Sequence, residues 1–424
     1  MEDNMEKIVV KCINELKGEV NISSAKNAVL PIIAATILCP QNITIENTPM
    51  LEDVRVICRL LGELNCDVNI SQFDDKLEIN TKNIVPIDAD IELIRKMRAS
   101  FLIMGPMLAR FGYCKLSMPG GCNIGSRPID LHLKGFKLLG ADVTSDHGFV
   151  EVKAKKLTGN RIYLDFPSVG ATENIMMASV FANGTTIIEN AAEEPEIWDL
   201  ANFLNSMGAN IKGAGFGKIT IEGVDKLKGV SYTPIYDRIE AGTFMVAAAI
   251  TNSKIKINGF NEEHLRPLIE KLKECGVKFG NYENNSVIVD GKVEKRPLDI
   301  KTLPYPGFPT DMQPQMMSLL SVVNGVSVIT ETVFENRFMH VAELQRMGAN
   351  IKIDGRTAVV EGTLKLTGCE VKATDLRAGA AMILSGLIAE GETIIGDIYH
   401  IDRGYVNIEE KFSKLGAEIY RVKM

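Results

Sequence analysis

The sequence predicts a mixed α/β protein made of six repeated units of about 70 residues, gathered into two three-unit domains. Three observations predict it. A helix-ending segment of type L-G-A-x-V/I recurs along the whole chain. A strand followed by L-K/T-G joins one unit to the next. The last unit stops short of strands that the N-terminal segment can supply.

The first observation sets the period. LGADV begins at Leu139, MGANI at Met207 and again at Met347, and LGAEI at Leu415; LNCDV at Leu64 and CGVKF at Cys275 are degenerate copies. The second residue of each falls at 65, 140, 208, 276, 348 and 416, so the steps are 75, 68, 68, 72 and 68 residues. Six matches at near-constant spacing mark internal duplication.

Within a unit the elements follow in a fixed order. First comes a helix rich in small residues, such as ATENIMMASVFANG or DLRAGAAMILSGLIAEG, suited to close packing in an interior. A strand follows: ITIEN at 43, CKLSM at 114, TTIIEN at 185, KIKIN at 254, VSVIT at 326 and TIIGD at 393. A second helix comes next; in the third unit Ile197, Leu200, Leu204 and Met207 share one face at helical spacing. Glycine stops that helix by taking a left-handed C′ conformation, and a short strand such as ANIKG or ANIKI follows. The joining tag then ends at Gly159, Gly229 and Gly368, with a fourth copy, ELKG, ending at Gly18.

The sixth unit ends at AEIYRVKM, and KIVVKCINELKGEVNIS carries the strands it lacks, so the N-terminus is expected to complete it. An open solenoid would instead need capping ends. One domain is then discontinuous, residues 1–22 plus 235–424; the other, residues 23–234, carries a PGGC loop. A cleft between two such domains is the default place for a ligand.

Composition removes several function classes. The 424 residues carry 47 Lys and Arg against 54 Asp and Glu, a formal charge of −7, which argues against a nucleic-acid surface. No apolar run approaches the roughly 18–20 residues of a membrane span. The N-terminal MEDNMEKIVVK is too charged for a signal peptide, so a soluble cytoplasmic protein is expected. The eight cysteines form no C-x-x-C pair and the five histidines no H-x-x-x-H pair, so no metal site is indicated.

Polar residues gather at equivalent points of the units. The first helix of each begins near Lys26, Arg98, Ser168, Arg238, Asp311 and Asp375–Arg377. The second helix or the loop before it carries Cys122–Arg127, Glu194, Glu262, Arg337 and Arg403. Cations beside helix N-termini oppose the macrodipole unless an anion sits there. The pattern therefore points to a ligand with several negative charges.

PGGCNIGSRP at 119–128 is the strongest local signal. Its glycines make a mobile loop, and Arg127 near Cys122 can stabilise a thiolate. The other seven cysteines read as structural. Asp311 in FPTDM and Asp375 in ATDLRAG can each be helix caps or, for Asp311, a general base. His340 and His400 are expected to make structural hydrogen bonds, and Trp198 to pack.

Taken together, SSAKNAVLP, KMRASFLIMGP, PGGCNIGSRPIDLH, SVGAT, AAEEPEI, DRIEAGTF, FPTDMQ, ETVFENRFMH, ATDLRAG and YHIDRGY resemble the enolpyruvyl transferase family, specifically its members acting on UDP-N-acetylglucosamine. Ser24 departs from the glycine of many relatives. The resemblance implies two inside-out α/β barrels, each of three units. It implies transfer of the enolpyruvyl group of phosphoenolpyruvate to the 3′-hydroxyl of UDP-N-acetylglucosamine, the first committed step of peptidoglycan synthesis, without a cofactor. Lys26, Arg127 and Arg403 would hold the phosphoenolpyruvate phosphate and carboxylate, with Arg337 and Arg377 neutralising the carboxylate. Asn27, Arg98, Arg127, Pro128, Asp130, Ser168, Val169, Gly170, Asp311 and Val333 would contact the nucleotide sugar. Asp311 would act as base on the hydroxyl, and Cys122 as general acid or in product release, open to alkylation by fosfomycin. The competing readings are the sister transferase acting on shikimate 3-phosphate and a non-catalytic nucleotide-sugar sensor. Oligomeric state stays open.

Overall fold

The six small-residue helices share one fate. Val169–Ser179 is buried from Ala171 to its end, and Leu376–Gly386 is buried from Arg377 onward. A helix that is apolar all round belongs in an interior, and Ala, Gly and Ser let neighbouring backbones approach. The strands behave differently. Lys254–Asn258 alternates exposed and buried residues, the pattern of an antiparallel sheet with one solvated face. Helices therefore fill the centre and sheets form the outside.

The structure is a computed structural model that describes residues 6–71, 75–85, 98–118, 124 and 129–423, with residues 98 and 99 described by their backbone alone. The chain divides into two compact units, one of Met1–Ser23, Cys122–Ser126 and Tyr236–Met424, the other of Ser24–Gly121 and Arg127–Ile235.

In the unit containing Tyr236–Met424, the central helices are Arg238–Ile250, Gln313–Leu320 and Leu376–Gly386, packed against one another. Ser318 Oγ donates across to the Ala381 carbonyl at 3.1 Å. Three four-stranded sheets surround them. Strand Glu6–Lys11 lies between Glu392–Gly396 and Ile419–Lys423, antiparallel to both, and so completes the sixth unit as expected. The next strand, Lys17–Asn21, does not stay there: it pairs in parallel with Lys254–Asn258 of the fourth unit.

The same rule holds elsewhere. Ile300–Lys301 joins Val326–Thr330, and Glu370–Lys372 joins Glu392–Gly396, always in parallel and always one unit further on. The strand after each joining tag thus belongs to the following sheet. In the unit containing Arg127–Ile235, Arg161–Tyr163 joins Thr185–Glu189, and Ser231–Tyr232 returns to Ile43–Ile45 of the first sheet. Each barrel is closed by its own chain. Here the inner helices are Lys26–Ala35, Met104–Phe111 and Val169–Ser179. The last two are locked by Asn174, whose Oδ1 accepts from the Gly105 N–H at 2.6 Å and whose Nδ2 donates to the Phe101 carbonyl at 3.0 Å.

The six predicted stops all lie at positive φ: Asn65 at 67°, Gly140 at 94°, Gly208 at 109°, Gly276 at 111°, Gly348 at 97° and Gly416 at 93°. The degenerate first copy keeps the geometry because asparagine tolerates the left-handed region better than other side chains. The stripe Ile197, Leu200, Leu204 and Met207 is buried. Trp198 is a correction: it sits one residue off that stripe and is 45% exposed.

Candidate active site

The unit containing Tyr236–Met424 gathers charge around Asp311. Pro309 precedes the short turn Thr310–Met312 in extended conformation, and no side chain caps the turn. Asp311 is therefore not spent on capping. Its Oδ1 accepts from Arg337 Nη2 at 3.0 Å, its Oδ2 accepts from Arg377 Nε at 3.1 Å, and Arg377 Nη2 pairs ionically with Oδ2 at 3.1 Å. Both guanidiniums are deeply buried, while the Asp311 side chain keeps 28% of its surface exposed. Burial opposes the Arg377 charge, but Tyr405, Asp311 and Asp237 outweigh it, so Arg377 stays protonated. Its Cζ stands 5.4 Å from the centre of the Tyr405 ring.

Asp375 is the cap. At φ −156° its Oδ1 accepts from the N–H groups of Arg377 at 2.8 Å and Ala378 at 3.0 Å, which fixes the start of Leu376–Gly386 and hence the origin of Arg377. The His340 ring is fully buried; neither nitrogen makes a hydrogen bond of good geometry among the described residues, and its polar neighbour is the Arg337 backbone. Burial, with Arg337 adding to it and Asp375 opposing, pushes its pKa down to about 4, so the ring is neutral at physiological pH. Arg337 Nε, Arg377 Nη1 and Asp375 Oδ2 likewise lack protein partners among the described residues. The two guanidinium donors among them suit an anion or ordered water, and the Asp375 oxygen suits a donor such as water.

Arg403 directly follows the short helix Tyr399–Asp402 and is partly buried. Burial and the Arg403 charge both lower the pKa of His400, whose ring centre lies 4.1 Å from that of Tyr399, tilted at 34°. Val333 points its N–H at Glu331 Oε1, 2.8 Å away.

The unit containing Arg127–Ile235 holds a second group. Lys26 opens the helix Lys26–Ala35, with Nζ 3.1 Å from Asp53 Oδ2; the two side chains are 10% and 6% exposed. Asp53 comes from the first turn of Glu52–Glu63, where an acid suits the dipole. Asn27 is exposed beside Lys26. Ser168 caps Val169–Ser179 by accepting from the Ala171 N–H at 3.4 Å, so Val169 and Gly170 form that helix's first turn. A Cβ on Gly170 would lie 3.3 Å from the His132 ring, so this backbone is packed tightly. Asp130 opens Asp130–Leu138 and is exposed. Arg98 begins the short helix Arg98–Ile103. The Arg98 side chain, Cys122, Arg127 and Pro128 lie outside the described residues.

Three polar residues of these sites were not singled out from sequence. Asp53 has only its place in a first turn to mark it. Tyr405 and Glu331 sit inside YHIDRGY and ETVFENRFMH, where the arginines drew attention instead. Among the described residues no group of three or more His, Cys, Asp or Glu could hold a metal ion, and no helix is long and apolar enough to cross a membrane. What the Asp311 cluster can do is bind a carboxylate or phosphate on paired guanidiniums beside the Asp311 side chain.

The family model of EPSP synthase (3-phosphoshikimate 1-carboxyvinyltransferase) matches residues 10–412. The chain belongs to this family. Within the EPSP synthase family, it is 65% identical over 418 residues to UDP-N-acetylglucosamine 1-carboxyvinyltransferase 2 of Clostridium tetani, covering 99% of this chain and 100% of that one. It is 64% identical over 419 residues to UDP-N-acetylglucosamine 1-carboxyvinyltransferase 1 of Clostridium acetobutylicum, with the same coverage. Among solved structures, the enolpyruvyl transferase NikO from Streptomyces tendae superposes with a TM-score of 0.89 at 23% identity, covering 99% of both chains. EPSP synthase from Acinetobacter baumannii gives 0.77 at 18% identity, covering 98% of this chain and 100% of that one. Identities this low speak for the shared fold alone.

Proposed function

We propose that this chain transfers the enolpyruvyl group of phosphoenolpyruvate to the 3′-hydroxyl of UDP-N-acetylglucosamine and releases phosphate. The observation that carries the reading is 65% identity, end to end, to a UDP-N-acetylglucosamine 1-carboxyvinyltransferase. The reaction is the first committed step of peptidoglycan synthesis, and we place it in the cytoplasm.

The residues suit that chemistry. The acceptor hydroxyl attacks C2 of phosphoenolpyruvate, its proton passing to Asp311, while C3 gains a proton from Cys122 or Lys26. The resulting tetrahedral ketal then returns a C3 proton to the group that supplied it and breaks its C–O bond to phosphate, which leaves with the proton taken up by Asp311. Lys26, Arg127 and Arg403 hold the phosphate and carboxylate, and Arg337 and Arg377 neutralise the carboxylate. Asn27, Arg98, Arg127, Pro128, Asp130, Ser168, Val169, Gly170 and Val333 receive the nucleotide sugar.

The two arginines on Asp311 fix the direction its carboxylate faces. Fixed cations meeting charge that develops in the transition state account for catalysis without a metal.

The family model's own name favours a second acceptor, shikimate 3-phosphate. Phosphate release from phosphoenolpyruvate with each acceptor separates the two. Turnover with shikimate 3-phosphate alone overturns the proposal. A fosfomycin arm tests the loop: mass spectrometry is expected to find one adduct, on Cys122, with loss of activity. An unmodified Cys122 removes it from the mechanism.

A further inference from the structure

Glu331 follows directly on strand Val326–Thr330 and is 1% exposed. A buried carboxylate must have its hydrogen bonds met, and this one has four. Its Oε1 accepts from the Thr302 hydroxyl at 2.8 Å, the Val333 N–H at 2.8 Å and the Phe334 N–H at 3.1 Å. Its Oε2 accepts from the Thr310 hydroxyl at 2.8 Å.

Those donors belong to two different loops. Thr310 is the residue before Asp311, and among the described residues its hydroxyl donates to Glu331. Val333 and Phe334 lie on the segment that goes on to Arg337. Thr302 anchors the carboxylate to the sheet: it is fully buried, accepts from the Thr332 N–H at 2.9 Å, and its carbonyl accepts from the Thr332 hydroxyl at 2.5 Å. Each carboxylate oxygen thus grips one loop, and the carboxyl plane sets the spacing between them.

We infer that Glu331 is a positioning residue that holds the Asp311 loop and the Val333–Arg337 loop in register. The inference rests on the transferase reading, since it assigns Asp311 to the base and Val333 to the nucleotide sugar. Losing Oε2 frees the base, losing Oε1 frees the acceptor-binding backbone, and the two losses have separate kinetic signatures. A displacement of about 1 Å in a positioned group can cost as much as 100-fold in rate.

The test begins with wild-type phosphate release using phosphoenolpyruvate and UDP-N-acetylglucosamine. No turnover at that stage sinks the functional reading, whatever the variants do. With turnover established, Thr310→Val cuts only the tie to Asp311 and is expected to lower kcat about 10-fold, leaving the KM for UDP-N-acetylglucosamine within about 2-fold. Glu331→Ala cuts both ties and is expected to lower kcat/KM by about 100-fold, with a raised KM for the nucleotide sugar. Glu331→Gln restores both to within about 5-fold, because its amide oxygen still accepts from Thr302, Val333 and Phe334 while its N–H donates to Thr310. A purely structural glutamate would shift melting temperature without this split. Wild-type kcat in Thr310→Val overturns the inference even if Glu331→Ala fails to fold. So does a natively melting Glu331→Gln that is as impaired as Glu331→Ala.

Discussion

Replacing Lys411 by methionine keeps the side-chain stem and removes one charge from a buried pair. Lys411 Nζ donates to Glu240 Oε1 at 2.6 Å and to Ser23 Oγ at 2.8 Å, and Glu240 Oε2 accepts from the Ser23 N–H at 2.7 Å. The Glu240 side chain is 2% exposed and that of Lys411 is 17%. Burial already raises the Glu240 pKa, with Lys411 working against it. Without Lys411 the carboxyl can stay buried only by taking a proton. For a group of ordinary pKa near 4.3, that costs about 3.7 kcal/mol at pH 7 and about 1 kcal/mol at pH 5. The sign follows from linkage. A raised folded pKa means the folded state binds the extra proton, so stability is highest below the unfolded pKa and falls as pH rises. For a unit of this size, about 1 kcal/mol moves the melting temperature by roughly 2–4 °C. The variant is therefore expected to melt roughly 7–15 °C below the wild type at pH 7 but only about 2–4 °C below at pH 5. Scanning calorimetry of both proteins at the two pH values measures this. Equal losses at pH 5 and pH 7 would show that packing, not an uncompensated charge, governs the site.

Two more predictions rest on the same geometry. Asp311→Asn removes the candidate base and one charge facing Arg337 and Arg377; kcat for phosphate release is expected to fall by about 100- to 10,000-fold with no rise in the KM for phosphoenolpyruvate. A kcat within 10-fold of wild type would end the assignment. Asp199, whose Oδ1 accepts from the Tyr232 hydroxyl at 2.6 Å, is pushed up to about 6 by burial, with Glu196 adding to the rise. Its raised folded pKa makes it a source of stability lost as pH rises from about 4 to 6, worth about 3 kcal/mol. Asp199→Asn should flatten that part of the stability profile, and an unchanged slope in denaturant titrations would refute the account.

Part of the site was readable from the chain because it repeats. The sequence places Arg337, Arg377 and Arg403 near helix ends by period alone. It could not tell Asp311 from Asp375. Both precede helices and both can cap, but Pro309 leaves Asp311 off the cap position while Asp375 takes it. Glu331 was invisible for a related reason. Its four donors come from residues 302, 310, 333 and 334, and only folding shows that one carboxylate meets them all.

The opening inference, six units in an α/β fold, needed nothing beyond local pattern. Helix stops, small-residue helices and strand motifs are each decided within a few residues, because backbone conformation and burial period are local properties. The path of the joining strands was not local. Lys17–Asn21 and Ser231–Tyr232 each return to the first sheet of their own barrel. Nothing near either strand names its partner, since a pairing more than 180 residues away in the chain is selected by ring closure and shared burial. The same holds for Trp198, whose helical phase was clear but whose exposure depended on which face the neighbouring sheet covered. Local chemistry wrote the units; the closing of each ring decided which of their polar residues would meet.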